Sequence, residues 1–187
     1  TVSGGTVSAG GNWAHGGTTQ VNGGTLNYSA TGGSTVNLNV TAGTLGGAAG
    51  GLLSVSGAMT WSGGNLTGSG GAARVPVGGT LAVSGNGSGR QVNNYTLELA
   101  GTGTWATTTA IMNSGSGGTL RVLAGGQLDV TGDFGISYNQ GGAVARLVVL
   151  GTLRRTTSTG VVQFTMAADD SGTVDVQTGA LDLSGGG

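Results

Sequence analysis

A unit of glycine, a polar β-branched residue and an aliphatic residue recurs along the whole chain. It stands at Gly5-Thr6-Val7, Gly24-Thr25-Leu26, Gly43-Thr44-Leu45, Gly79-Thr80-Leu81, Gly118-Thr119-Leu120, Gly151-Thr152-Leu153 and Gly172-Thr173-Val174. Strict alternation appears at Leu120-Arg121-Val122, Leu128-Asp129-Val130, Val174-Asp175-Val176 and Leu181-Asp182-Leu183. A period of two marks a strand with one buried face. No 3.6-residue period is sustained, and glycine at this density breaks helices. The expected fold class is all-β.

The 187 residues include 44 Gly, one Pro and no Cys. Without Cys there is no disulfide scaffold and no zinc ribbon. Gly, Asn or Ser interrupts every apolar run well short of the ~18 residues a membrane helix needs, so no membrane insertion is expected. The net charge is −1 and every basic residue is Arg, which leaves no electrostatic footprint for nucleic acid. Disordered chains combine low hydrophobicity with high net charge. Here 36% of residues are hydrophobic and the charge is nearly nil, which points to burial. The chain starts at Thr1 and closes on Ser184-Gly185-Gly186-Gly187, and both ends read as cuts through a longer repetitive protein or as a processed segment.

The short units group at longer steps. Thr1, Thr18, Thr35 and Leu52 lie 17 apart, and later anchors fall at Arg74, Thr96, Thr119, Arg146 and Thr173. Within most of these steps two short strands follow closely, as Leu53/Val55 before Met59/Trp61 and Val75/Val77 before Leu81/Val83. A third segment closes the unit: Arg90-Gln91-Val92, Ala110-Ile111-Met112, Phe134-Gly135-Ile136 and Val161-Val162-Gln163-Phe164. This arrangement describes the coils of a right-handed parallel β-helix, a β-solenoid of about eight coils. Residues 1–51 form narrow coils of about 17 residues and residues 52–187 wider ones of about 22–27, so the solenoid is expected to widen toward the C-terminus in a single domain.

Stacking predicts rows. Leu120, Leu147 and Val174 align, as do Leu128, Leu153 and Leu181, all facing inward. Their outward neighbours Asp129, Arg154 and Asp182 then form an acid–base–acid ladder, a structural role. Trp61, Val83, Trp105 and Val130 share another inward row. Asn93-Asn94, Asn113, Asn139 and Asp169-Asp170 are expected in turns, where stacked Asn side chains bond from rung to rung.

Met59-Thr60-Trp61-Ser62-Gly63-Gly64-Asn65-Leu66-Thr67-Gly68 and Asp170-Ser171-Gly172-Thr173-Val174-Asp175-Val176-Gln177-Thr178-Gly179-Ala180-Leu181 resemble the degenerate repeats of large bacterial surface proteins. Those are the parallel β-helix stalks of autotransporter passengers and filamentous-haemagglutinin-like adhesins. The resemblance covers nearly the whole chain. It implies secretion to the cell surface, a role as stalk, adhesin segment or self-associating filament, and no catalytic residues to carry over.

Chemistry on a β-helix needs clustered carboxylates. Asp169-Asp170 is the only adjacent acidic pair and reads as a turn, while Asp129 and Asp133 are separated by a Gly-containing turn. His15 is the only histidine, so no His-based metal pair or catalytic dyad is available. Gly85-Asn86-Gly87-Ser88-Gly89 lacks the strand–helix context of a phosphate loop, and no calcium nonapeptide recurs. Arg146, Arg154 and Arg155 are expected to pair with Asp. An ice-binding face needs two Thr columns and the sequence supplies one. No enzyme activity, cofactor or metal is expected.

The partners expected are neighbouring repeats or identical subunits stacked end to end, since open solenoid ends present unpaired backbone groups. A second reading has exposed aromatics, Trp13, Tyr28, Tyr95 and Tyr138, contacting cell-surface glycan. A third and weaker one is a polysaccharide lyase or hydrolase.

Overall fold

The computed structural model describes residues 1–29, 31–85, 89–107 and 111–185. Among them there is no helix, and 19 strands follow one another. In chain order these are β1 (Thr6–Ala9), β2 (Ala14–Tyr28), β3 (Gly33–Gly47), β4 (Leu52–Val55), β5 (Ala58–Trp61), β6 (Asn65–Val75) and β7 (Thr80–Val83). Then come β8 (Gln91–Leu99), β9 (Thr102–Trp105), β10 (Ile111–Gly115), β11 (Thr119–Val122), β12 (Gln127–Val130) and β13 (Gly135–Tyr138). The last six are β14 (Arg146–Val149), β15 (Thr152–Arg155), β16 (Val161–Phe164), β17 (Ala167–Asp170), β18 (Thr173–Val176) and β19 (Ala180–Asp182).

Every pairing is parallel, and together they build a β-solenoid of about eight turns with three faces. The first face runs from the start of β2 through the start of β3, β4, the ends of β6 and β8, β11 and β14 to β17. The second passes through the middles of β2 and β3, then β5, β7, β9, β12, β15 and β18. The third links β1, the ends of β2 and β3, the starts of β6 and β8, then β10, β13, β16 and β19.

The recurring unit has a local cause in this geometry. Its glycine turns the corner, the next residue's N–H bonds to the corner carbonyl one rung back, and the aliphatic side chain then points inward. At the corner between the first and second faces Thr80, Thr102, Gln127, Thr152 and Thr173 donate to Gly57, Gly79, Gly101, Gly126 and Gly151 at 2.8–3.2 Å. A Cβ on Gly101 would lie 2.1 Å from the Gly79 carbonyl oxygen, and one on Gly151 2.3 Å from that of Gly126. Only glycine lets successive corners approach this closely.

The same unit serves all three faces. Gly5-Thr6-Val7, Gly24-Thr25-Leu26 and Gly43-Thr44-Leu45 lie on the third, Gly118-Thr119-Leu120 on the first, and the remaining three on the second. Counting between units therefore mixes faces, and the 17-residue step does not occur. Thr18 lies over Asn37 and Thr35 over Val55, whereas Thr25 lies over Thr44, a coil of 19 residues. Coils lengthen to 24 at Ala73/Leu97, 27 at Leu120/Leu147 and 28 at Ile136/Phe164. They shorten again to 21 at Leu153/Val174 and 19 at Val162/Leu181. The tube is widest near its sixth and seventh coils.

That late shortening moves two expected rows. Leu120 and Leu147 continue to Ala168, not Val174, and Leu128 and Leu153 continue to Val174, not Leu181. The row Trp61–Val83–Trp105–Val130 forms as expected, because each member follows the last on the second face. Val77 does not face inward; it is 83% exposed in the turn after Pro76. Asp169 and Asp170 stand on β17 rather than in a turn.

The interior is one apolar column. Narrow coils hold Val21, Leu26, Leu38, Val40 and Leu45, all essentially inaccessible. Wider coils hold rings: Trp61 and Trp105 meet edge to face, Trp105 stacks on Phe134 with centroids 5.0 Å apart, and Phe134 meets Phe164. Such contacts add to the transfer of each ring from water.

Candidate functional site

The outer surface uses charge as a rung-to-rung device. On the first face Arg74, Glu98 and Arg121 occupy successive rungs. Glu98 receives Arg74 Nη2 at 2.6 Å on one carboxylate oxygen and Arg121 Nη1 at 3.1 Å on the other. On the second face Arg154 donates through Nε and Nη2 to both oxygens of Asp129, at 2.7 and 2.8 Å. The Arg154 bond, opposed by desolvation and aided by Gln127, holds the Asp129 carboxyl below its usual range. The third rung of this ladder is Asp175, which pairs in register with Arg154. Asp182 lies instead beside Gln163 on the third face and accepts its side-chain amide at 3.0 Å. The ladder expected from the sequence is thus Asp129–Arg154 with a different partner below.

Two guanidinium groups lie inside. Arg155 continues the inward row after Val130 and is fully buried; it donates to the Gly132 carbonyl and to Asp133. Asp133 also accepts from Ser158. Its carboxyl is held low by the Ser158 bond first and by Arg155 after it. Arg90, 3% exposed, lies 5.5 Å over the Trp61 ring and donates to the carbonyls of Trp61, Ser84 and Gly85. Arg90 ties carbonyls of adjacent coils together, and Arg155 reaches back to the carbonyl of Gly132 and the carboxylate of Asp133. The alternation Leu153-Arg154-Arg155 carried the signal for Arg155, since a period of two that buries Leu153 also buries the residue two places on.

The four candidate aromatics divide. Tyr28 and Tyr95 are not exposed; they are 0% and 1% accessible and face each other through the core. The rungs between them at this position carry Gly47 and Gly71, and a Cβ on Gly47 would come within 2.9 Å of the Tyr28 ring. Two missing side chains make the room that two rings fill. Trp13 and Tyr138 are half-buried. Tyr138 spends its hydroxyl on the Gly142 carbonyl at 2.6 Å. Trp13 stacks on exposed His15, with centroids 6.2 Å apart and planes within 15°. The pair borders an open cleft of about 200 Å³ with Val2, Val7, Thr18 and Leu26.

Asn139 donates to Asn113 at 2.7 Å, a side-chain bond between rungs as expected, but Asn113 stands on β10, as Asn93 and Asn94 do on β8, rather than in turns. Of the stretch Gly85-Asn86-Gly87-Ser88-Gly89, residues 86–88 lie outside the described residues, as do Ala110, Gly186 and Gly187. No group of three His, Cys, Asp or Glu able to hold a metal occurs among the described residues. No helix among them is long and apolar enough to cross a membrane.

The fold and its charge ladders define this chain as a parallel β-solenoid. Comparison with protein families, with curated proteins and with solved structures finds no match to it.

Proposed function

We propose that this chain is a structural module of a secreted bacterial surface protein, serving as a rigid stalk, an adhesin segment or a unit of a self-associating filament. The supporting observation is the continuity of three parallel ladders through the coils, with seven of the 13 charged side chains engaged in cross-rung ion pairs. Glu98, Asp129 and Asp133 each neutralise an arginine, which favours scaffolding over acid–base work. At about 4.8 Å per rung, eight coils make a rod of about 38 Å. On the last coil β17, β18 and β19 each have one paired edge among the described residues, and an unpaired strand edge of this kind is a template for stacking with a neighbouring repeat or another copy. Antibody labelling of intact and lysed producing cells tests the reading: label on intact cells supports it, and label confined to lysed cells overturns it.

The cleft beside Trp13 favours a second reading, glycan contact, now reduced from four rings to Trp13 with Tyr138 at some distance along the chain. Trp61 and Trp105 are buried, so a saccharide at the cleft changes the emission of Trp13 alone. An unchanged spectrum across a glycan panel removes this reading.

A further inference from the structure

We infer that the chain carries asparagine-linked sugar, with Asn27 and Asn94 as its acceptors in the folded protein. The acceptor pattern Asn-x-Ser/Thr occurs at Asn27-Tyr28-Ser29, Asn39-Val40-Thr41, Asn65-Leu66-Thr67 and Asn94-Tyr95-Thr96. A fifth copy, Asn86-Gly87-Ser88, lies outside the described residues. In all four described copies the middle residue is at most 1% accessible. Strand alternation then turns the Asn and the Ser or Thr outward together, so a transferase meets both halves of the motif on one surface.

Local geometry separates the four. Asn39 is half-buried and its amide oxygen accepts from Thr60 Oγ1 at 2.7 Å, and Asn65 is half-buried. Asn27 and Asn94 are exposed, and neither side chain hydrogen-bonds another described residue. Each also borders a glycine on an adjacent rung. A Cβ on Gly46 would stand 3.4 Å from Asn27 Oδ1, and one on Gly70 3.9 Å from Asn94 Oδ1. The bare backbone leaves space for a bulky substituent. Asn94 sits at φ +47°, the left-handed region that Asn tolerates, at the irregularity where the ladder to β6 passes from Thr67/Asn93 to Gly71/Tyr95.

Surface chemistry supplies the reason for sugar here. No Asp, Glu, Lys or Arg precedes Arg74, so the first coils have no ionic groups of those kinds to solvate their outer faces. Glycans solvate a neutral surface and keep rods from packing side by side. Attachment joins the Asn amide nitrogen to the anomeric carbon of a diphosphate-activated sugar. The bond from that carbon to the diphosphate oxygen breaks, the diphosphate leaves, and one amide proton passes to a base of the transferase. This inference rests on the secretion proposed above, since the acceptor motif is used in secreted chains, but not on the stalk role; label on intact cells with both asparagines bare sinks the inference and leaves that reading standing.

Peptide mapping by mass spectrometry of the chain recovered from its producing cells tests it. Sugar-sized mass increments are expected on Asn27 and Asn94, lost singly in Ser29→Ala and Thr96→Ala, which preserve each asparagine. Complete recovery of both peptides without increments overturns the inference. So does sugar confined to Asn39 and Asn65, since the folded geometry ranks them last.

Discussion

Tyr28 and Tyr95, 67 residues apart in the chain, meet hydroxyl to hydroxyl in the core with their rings nearly perpendicular. Tyr28 also bonds the Ala72 carbonyl at 2.7 Å. Tyr95→Phe leaves that second bond in place and is expected to cost about 1 kcal/mol. Tyr28→Phe removes both bonds of its hydroxyl and leaves the Tyr95 hydroxyl without that partner, and is expected to cost more. Urea unfolding of the two variants reads the order, and equal costs contradict the geometry.

The same pair makes the fold sensitive to alkali. Burial pushes both phenol groups up from the ordinary value near 10. A raised folded value means the neutral form is favoured in the fold. The stabilisation is complete below pH about 10 and is lost as pH climbs toward the folded values. Melting temperature is therefore expected to fall as pH rises above about 10, and to fall less steeply in the double Phe variant. Parallel pH profiles of the two proteins rule the pair out as the cause.

Arg155 and Asp133 are unequal partners, one enclosed and the other reaching water. Asp133→Asn leaves a buried cation without its counter-charge. Arg155→Met instead continues the inward row below Val130 with an apolar chain. The aspartate change is expected to destabilise more, with Arg155→Met staying within about 1.5 kcal/mol of the parent. Chemical denaturation checks this, and the reverse order refutes it.

On the outer face, Arg154 bonds Asp129 while Asp175, not Asp182, lies next in register. A double-mutant cycle on Asp129 and Arg154 is expected to give a small favourable coupling that fades in high salt. Asp129 is held low, so its contribution is present above its unfolded value and lost as pH falls through the folded one. The same cycle on Arg154 and Asp182 is expected to read zero.

The corner glycines give the largest expected effect. Gly101→Ala sets a methyl against the Gly79 carbonyl, where neither backbone can yield, and is expected to cost about 3 kcal/mol or more. Gly125→Ala meets open space and bears only the penalty of φ +80°, about 1–2 kcal/mol. Thermal melts of both separate crowding from backbone strain.

Alternation made the strands and their inward faces legible in the sequence, and it placed Trp61, Val83, Trp105 and Val130 in one row. Those four succeed one another at nearly even steps on a single face. Coil length was less legible, because Gly-Thr-aliphatic units turn three different corners and the distance between two of them mixes faces. Asp182 was misplaced for that reason: the coil after Arg146 is 21 residues long, not 27. The burial of Tyr28 and Tyr95 depends on Gly47 and Gly71 lying between them, a relation visible only once the register is known.

The ladders have a mechanical consequence. Their hydrogen bonds lie along the rod, so tension between its ends pulls directly on them, three strands at a time. When one turn lets go, it gives up about 4.8 Å of height and frees 19 to 28 residues of thread. Drawn straight, that thread reaches roughly 60–100 Å. Under load the molecule lengthens in discrete steps, and the longest steps come from the wide turns that hold the rings.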